Sequence, residues 1–236
     1  MTRTLLLIFF LFSSIVHSKE RQLVCAMAIG FPPFQFVEND RPAGIDVEIL
    51  NSFTQQTNFK IKIVQMNWSD VISKFNFTDN IDCIWGIERG PERDRRFLFS
   101  DSLYSRASTL FSLKNTKFKT IKSLKGHFVG ADEDSQLNHE LIKSSIRFKK
   151  FKTKEQSIEG LIKGDISAAI MPRYVGHYLA KKHQIELYEI KKSQHPSEVS
   201  IAFKKRDSDL KNDFNKLLKR DDIKSEIIKI LERWAQ

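Results

Sequence analysis

Apolar residues in the first hundred positions of the chain follow two different spacings. Short apolar runs bounded by turn residues predict buried strands, and apolar residues three or four positions apart predict amphipathic helices. The first run ends near Gly30, where two consecutive prolines predict a turn. Strands that alternate with helices form parallel sheets, so the pattern predicts an α/β unit. The predicted strands are 23–29, 60–64 and 81–85, and the predicted helices are 45–55 and 68–77.

The alternation starts afresh near position 109 and returns to the first unit near position 199. A second α/β unit is therefore predicted to be nested inside the first. We assign residues 19–108 and 199–236 to lobe 1 and residues 109–198 to lobe 2. The remaining predicted strands are 109–113, 129–131, 168–171 and 199–203, and the remaining helices are 135–144, 156–163, 209–218 and 223–234.

The first 18 residues form a segment of different character. Arg3 precedes an apolar run from Leu5 to Phe12, which is too short for a bilayer that needs about 20 apolar residues. With a small side chain at Ser18, the pattern is typical of a secretory signal peptide cleaved after that residue, although an uncleaved signal anchor is an alternative. No cysteine lies close enough to take a lipid, so we expect a periplasmic protein that is not lipidated.

Basic residues exceed acidic ones, and the formal net charge is +10 at pH 7. The excess is concentrated between Lys114 and Lys154, where 11 Lys or Arg stand against four Asp or Glu. Binding of nucleic acid would need a recognition motif beside the charge, and export separates the protein from most nucleic acid. We therefore expect no nucleic-acid partner. The charge indicates solvated lysines or attraction to an anionic membrane surface or partner.

Two cysteines, Cys25 and Cys83, each lie in a predicted buried strand. An oxidising compartment permits a disulfide between them, and two packed thiols are an equally good interpretation of the sequence. The six histidines are scattered, and no Cys/His cluster has the spacing of metal ligands. We therefore predict no metal and no cofactor.

Several short motifs occur in a fixed order along nearly the whole chain after the signal segment. The most specific is PERDRRFLFSDSLY at 91–104, and the others include FPPFQF at 31–36, GIDVEIL at 44–50, NWSDVISKF at 67–75, IKSLKGHFVGADEDSQ at 121–136 and LIKGDISAAIMPR at 161–173. This order resembles the periplasmic amino-acid-binding proteins of ATP-driven importers, solute-binding protein family 3. The resemblance implies the two-lobed α/β fold of type II periplasmic-binding proteins, with two crossover strands joining the lobes and a ligand in the cleft between them.

The resemblance also implies ligand contacts in lobe 1. Arg93 is implied to bind a carboxylate, because its planar guanidinium can donate two charge-assisted hydrogen bonds. Phe31 and Trp68 are implied to lie against the ligand side chain. The backbone at Gly86 and Ile87 is implied to supply hydrogen bonds at the end of a strand, where ligands of open α/β sheets bind.

These residues also have structural interpretations. Arg93 could be a surface arginine paired with Asp94 or Asp101, and the two aromatic residues could belong to a core. We interpret Asp46 as a structural residue at the start of a helix rather than as a ligand contact.

Two departures from the family pattern concern the amino group of a bound amino acid. The family's aspartate that holds this group is replaced by Pro172, whose side chain has neither a donor nor an acceptor. A small hydroxyl residue of the family is replaced by Glu88. The site therefore lacks the family's usual anchor for an amino group.

A third departure lies in lobe 2, where the family has a Gly-Thr type of turn at a helix start. Here the sequence is Asp132, Glu133, Asp134 and Ser135, which suits helix capping. The alternative is that Glu88 and one of these acids hold a cationic group of the ligand. The predicted ligand-binding set therefore also includes Glu88, Asp134, Ser135 and Gln136.

Taken together, these features predict a monomeric binding protein that performs no chemistry on its ligand. The ligand is a small polar compound, an amino acid or a related amine or carboxylate, delivered to an ABC importer of the inner membrane. One alternative is an orphan sensor that reports ligand status to a membrane partner. Another is an enzyme similar to cyclohexadienyl dehydratases with Glu88 as general base, but the sequence shows neither a nucleophile elbow nor a phosphate loop or triad.

Overall fold

The computed structural model describes residues 22–131, 141, 145–151, 153–193 and 196–234. Its first half begins with a strand and a small three-stranded antiparallel sheet, followed by alternating helices and strands. In chain order the elements are β1 (Leu23–Ala28), β2 (Gly30–Phe31), β3 (Gln35–Glu38), β4 (Arg41–Ala43), α1 (Ile45–Gln55), β5 (Ile61–Met66), α2 (Trp68–Phe77), β6 (Cys83–Glu88), α3 (Pro91–Arg96), β7 (Leu98–Phe99) and β8 (Tyr104–Arg106).

The second half starts with a strand only two residues after β8. Its elements are β9 (Ser108–Leu113), a 3₁₀ turn (Lys122–Leu124), β10 (Phe128–Ala131), β11 (Arg147–Lys150), α4 (Lys154–Lys163), β12 (Ala168–Pro172), α5 (Arg173–Lys182), β13 (Leu187–Lys192), β14 (Ser197–Phe203), α6 (Ser208–Leu218) and α7 (Asp221–Trp234).

The first large sheet has the strand order β5-β1-β6-β14-β7, with β8 also paired to β14. Strands β5, β1 and β6 run parallel, and β14 runs antiparallel to β6. Cys25, Ala26 and Met27 in β1 are all fully buried although their side chains alternate between faces. A parallel sheet is covered on both faces, which explains why β1 is apolar at every position.

The second large sheet has the strand order β11-β10-β12-β9-β13. β10 is parallel to β11 and β12, whereas β9 is antiparallel to both β12 and β13. All five strands lie between residues 108 and 192, inside the interval that divides the strands of the first sheet. The chain thus passes between the sheets at Ala107 and again between β13 and β14.

The predicted α/β pattern agrees best with the structure where the elements are long. Helices α1 and α2 have the predicted bounds, and the predicted central strands occur with ends shifted by up to three residues. The sequence analysis missed the small sheet, α3, β7, β8, β11, α5 and β13. The predicted helix 135–144 lies almost wholly outside the described residues. Most of the missed strands have two to four residues, too few to establish a period.

Cys25 and Cys83 form a disulfide between neighbouring strands. The two residues are directly opposite in the parallel pairing of β1 with β6, and their Cα atoms are 4.6 Å apart. This separation falls within the range that a disulfide requires. Of the two interpretations of the sequence, the bridge is therefore the correct one.

Candidate functional site

A cavity of about 570 Å³ opens where the three parallel strands of the first sheet end. It lies at the carboxyl ends of β1, β5 and β6, which form the edge at which open α/β sheets bind ligands. The volume falls within the range of small-molecule sites. Six lining residues were predicted from the sequence: Phe31, Trp68, Gly86, Ile87, Glu88 and Arg93. The others are Ala28, Ile29, Gly30, Gln35, Asn67 and Arg106.

The predicted contacts from lobe 2 cannot be placed in this cavity. Asp134, Ser135 and Gln136 lie outside the described residues, as do the neighbouring acids of the same turn. Pro172 ends β12 opposite Ser108 and is half-buried. All described lining residues of the cavity therefore lie between Ala28 and Arg106, within the interval assigned to lobe 1.

Arg93 lies in α3, which begins with Pro91 at its first position. Its side chain is half-buried, and Nη1 donates a hydrogen bond to the Glu88 carbonyl oxygen at 2.6 Å. The guanidinium lies 5.4 Å from the centre of the Trp68 ring. Burial lowers the pKa of Arg93, while the charge of Glu88 opposes this shift and the charge of Arg106 adds to it. Arg93 is therefore held in place and directed to the cavity.

The structure does not show the alternative for Arg93, a surface arginine paired with Asp94 or Asp101. Asp94 forms its ion pair with Arg89 at 3.3 Å, and Asp101 pairs with Lys219 at 3.8 Å. Arg93 thus forms no ion pair with either of the two aspartates that the sequence offered as partners.

Of the two predicted aromatic residues, Phe31 ends the short strand β2 and Trp68 begins helix α2. Trp68 is the first residue of α2 and leaves 37% of its surface exposed, which is unusual for tryptophan. Phe31 is half-buried, and its ring centre lies 5.3 Å from that of Phe34. Both rings therefore border the cavity, and Phe31 also packs against the core.

Gly86 lies at a place where the backbone approaches a buried carboxylate. Its φ is +73°, and an added Cβ would stand 2.3 Å from Asp46 Oδ2. Its carbonyl oxygen accepts a hydrogen bond from Gln35 Nε2 at 3.1 Å. Ile87 as a whole residue is only 1% exposed, so it offers very little surface to a ligand.

Glu88 ends β6, and 32% of its side-chain surface is exposed. Its Oε1 lies 3.5 Å from Nη1 of Arg106, which is the cation that the structure places beside it. The prediction that Glu88 holds a cationic group of a ligand stays untested, and Arg106 is a competing partner for the same carboxylate.

Arg106 was missed by the sequence analysis, and it is the centre of a buried polar network. Its Nη2 donates to Asp46 Oδ2 at 2.9 Å and to the Tyr104 hydroxyl at 2.7 Å. The Tyr104 hydroxyl donates to Asp46 Oδ1 at 2.5 Å, and Gln35 Nε2 donates to Asp46 Oδ2 at 2.6 Å. Gln35 in turn accepts from the backbone N–H of Ala28 at 2.7 Å. The network therefore joins three segments of the chain around one carboxylate.

The titration of this network follows from its burial. Burial raises the pKa of Asp46, against the charge of Arg106 and the hydrogen bonds from Tyr104, Gln35 and Arg106. Burial also raises the pKa of Tyr104 well above its ordinary value. Asp46 is fully buried in the first turn of α1, so it is a structural residue, as predicted, with a role beyond starting a helix.

A second cavity of about 510 Å³ lies on the other side of Phe31. Gly30, Phe31 and Pro32 form one wall, and residues of α4 and α5 form the other. Nearby, the rings of Phe34 and Tyr174 make an edge contact with centres 5.9 Å apart. The segment Gly30–Pro32 and the helices α4 and α5 therefore face each other across this cavity, and Phe31 lines both cavities.

Two features are absent from the described residues. They contain no group of three or more His, Cys, Asp or Glu arranged to hold a metal ion. Within the same residues, no helix is long and apolar enough to cross a membrane.

Two α/β sheets joined by two chain crossings, with a cavity at the carboxyl ends of parallel strands, define the class of bilobed solute-binding proteins. Residues 23–236 match the model of the bacterial extracellular solute-binding proteins, family 3, and the chain belongs to this family. The predicted family and the prediction of a binding protein rather than an enzyme are thereby confirmed. The extracellular location of the family agrees with the predicted export, while cleavage and the absence of a lipid stay predictions.

The alignments with individual relatives cover almost the whole chain. The arginine-binding extracellular protein ArtP of Bacillus subtilis (strain 168) is 28% identical over 226 residues, 92% of this chain and 88% of ArtP. The structure of the probable amino-acid ABC transporter extracellular-binding protein ytmK of Bacillus subtilis is 18% identical with a TM-score of 0.81, covering 92% of this chain and 98% of that one. An ancestral arginine-binding protein bound to arginine is 23% identical with a TM-score of 0.71, covering 92% and 100%. The structural similarities confirm the predicted type of fold.

Proposed function

We propose that the protein binds the zwitterion of an α-amino acid, with arginine as the first candidate, for an ABC importer. The observation that carries this proposal is that the described lining of the cavity includes one available positive group, Arg93, and one available negative group, Glu88. Asp46 and Arg106 also carry opposite charges, but they neutralise each other in a buried pair. The charges left for a ligand match a carboxylate and an ammonium group.

Arg93 is suited to the ligand carboxylate because its guanidinium is fixed by Trp68 and by the Glu88 carbonyl. Glu88 is suited to the ammonium group because its partly exposed carboxylate lines the same cavity. This assignment replaces the anchor that is lost at Pro172. The sequence had suggested that Glu88 and one acid of the 132–135 turn hold a cationic group of the ligand, and the present proposal assigns that role to Glu88 alone.

Phe31 and Trp68 would contact the ligand side chain. Flat rings can pack against an apolar stem and attract a guanidinium through cation–π contacts. Arginine has both features, and ArtP, at 28% identity, is described as arginine-binding. Arginine is therefore the first amino acid to test.

The start of the mature protein, its location, its oligomeric state and its lobe boundaries are proposed from the sequence. The mature protein begins after Ser18, is periplasmic and not lipidated, and works as a monomer whose lobes meet at 108/109 and 198/199. Lobes that open and close around a ligand need no subunit interface. The partner is an importer of the inner membrane.

Thermal unfolding of the purified protein with each of the common amino acids tests the proposal. The protein is first unfolded and refolded to remove a carried-over ligand. A ligand at about 100 times its Kd stabilises the folded state by about 2.7 kcal/mol, which is a visible increase in Tm. An increase with arginine or another amino acid supports the proposal, and none with any amino acid contradicts it.

Arg93→Ala is expected to weaken binding of that amino acid by about 100-fold, because two charge-assisted hydrogen bonds to the carboxylate are lost. Isothermal titration calorimetry measures the change. Arg95→Ala on the same helix is the control, since Arg95 is exposed and pairs with Glu92. Unchanged affinity in Arg93→Ala would exclude Arg93 as the carboxylate anchor.

Trp68→Ala is expected to weaken binding by about tenfold, because the ligand loses an aromatic contact and Arg93 loses its stacking partner. Phe77→Ala is the matched control, because Phe77 lies on the same helix, is 86% exposed and does not line the cavity. Calorimetry should give wild-type affinity for the control. Equal effects of the two substitutions would contradict a role of Trp68 in binding.

A further inference from the structure

We propose that Arg106 is a second anion-binding group of the cavity and that Glu88 masks it, so that Glu88 excludes ligands with two carboxylates. This inference rests on the proposed function for the identity of the site. It adds the class of ligand that the site rejects and the residue responsible for the rejection.

The hydrogen-bonding capacity of Arg106 is only partly used. A guanidinium has five N–H donors. Nη2 donates to Asp46 and Tyr104, but the contact of Nη1 with Glu88 Oε1 is 3.5 Å, well beyond the usual charge-assisted bond. Nε is buried and has no hydrogen-bond partner among the described residues. Arg106 can therefore donate further hydrogen bonds to a second anionic group.

Arg106 would keep its place if Glu88 lost its charge. Its guanidinium carbon lies 3.9 Å from the centre of the Phe34 ring, and its Nη2 remains bound to Asp46. Its side chain is only 4% exposed. A cationic group fixed in this way needs no rearrangement to bind an anion, which favours binding.

The charge balance explains why Glu88 acts as the mask. Arg93 and Arg106 line the cavity with Glu88, whereas Asp46 is fully buried. These four charges of the described residues balance, so a ligand with two carboxylates would bring an excess of negative charge to them. Removing the charge of Glu88 leaves one positive charge in excess, which cancels one of the two negative charges of succinate and the whole net charge of L-glutamate.

Calorimetric titration of the purified wild type and Glu88→Gln with succinate, L-glutamate and L-arginine tests the inference. We expect the wild type to bind succinate weakly or not at all, and Glu88→Gln to bind it at least about tenfold more tightly. L-Glutamate should gain affinity in the same variant, and L-arginine should lose it. Glu92→Gln is the matched control: it removes the same charge from an exposed residue that does not line the cavity, and it should behave as the wild type.

A second variant identifies the group that receives the new carboxylate. Adding Arg106→Lys to Glu88→Gln should abolish most of the gain for succinate, because lysine keeps the charge but not the planar fork. Circular dichroism verifies the fold of each variant, and Glu88→Ser replaces Glu88→Gln if that protein fails to fold. A gain that persists in the double variant overturns the role of Arg106.

The outcomes separate the inference from the proposed function. If the wild type binds an amino acid and Glu88→Gln gains no affinity for succinate, the inference is wrong and the proposed function stands. If the wild type binds no amino acid but Glu88→Gln gains succinate binding through Arg106, the proposed function is wrong and the masking by Glu88 is supported.

Discussion

Asp46→Ala is expected to lower the free energy of unfolding by about 3–5 kcal/mol, because it leaves the charge of Arg106 buried without its main partner. The side chains of both residues are almost completely buried, at 0% and 4% exposure. Tyr104 and Gln35 also lose an acceptor. Urea unfolding of the purified protein at neutral pH measures the difference.

Two variants isolate the cause of this loss. Asp101→Ala removes a partly exposed aspartate whose lysine partner is 3.8 Å away, and we expect a change below about 1 kcal/mol. Replacing both members of the buried pair, as Asp46→Leu with Arg106→Met, should cost less than Asp46→Ala alone, since neither charge is then left without a partner. A double variant less stable than Asp46→Ala would show that packing, not charge, dominates.

The same pair illustrates what the sequence could and could not predict. Asp46 was recognised as structural from its position at a helix start, but its partner lies 60 residues away in β8. β8 has only three residues, and its pattern of one buried, one exposed and one buried side chain is too short to be read as a strand. An arginine on the inward side of an alternating segment was the only available signal.

The site residues in lobe 1 were predictable to a greater extent, because the resemblance to the family pointed to them and they lie near the ends of predicted strands. The ends of strands 60–64 and 81–85 were predicted within a few residues, and the carboxyl ends of parallel strands meet at one edge of a sheet. Trp68, Glu88 and Phe31 lie at one cavity beside these strand ends, while their contacts with a ligand stay a prediction. The pairing of Glu88 with Arg106 was not predictable, since it depends on how β8 pairs with β14.

The disulfide could not be predicted for a related reason. Both cysteines lie in recognisable strands, but only the strand order determines whether the strands are neighbours and only the register determines whether the sulfurs meet. In the structure β1 lies directly beside β6, with Cys25 opposite Cys83. Neither the order nor the register follows from the apolar pattern of a single strand.

Removal of this disulfide is expected to lower the free energy of unfolding by about 4 kcal/mol, because a cross-link over a long segment restricts the unfolded chain. The bridged residues are 58 positions apart in the sequence. Cys25→Ala combined with Cys83→Ala gives a protein without the bridge, and urea unfolding of this variant beside the oxidised wild type measures the loss.

The wild type treated with a reducing agent is the matched comparison for the double variant. It should unfold at nearly the same urea concentration as the variant, whereas the variant itself should not respond to the reducing agent. Cys25 and Cys83 are the only cysteines of the chain, so no other pairing can replace the bridge. If the oxidised wild type and the double variant were equally stable, restriction of the unfolded chain would contribute nothing, and packing between β1 and β6 alone would hold the two strands together.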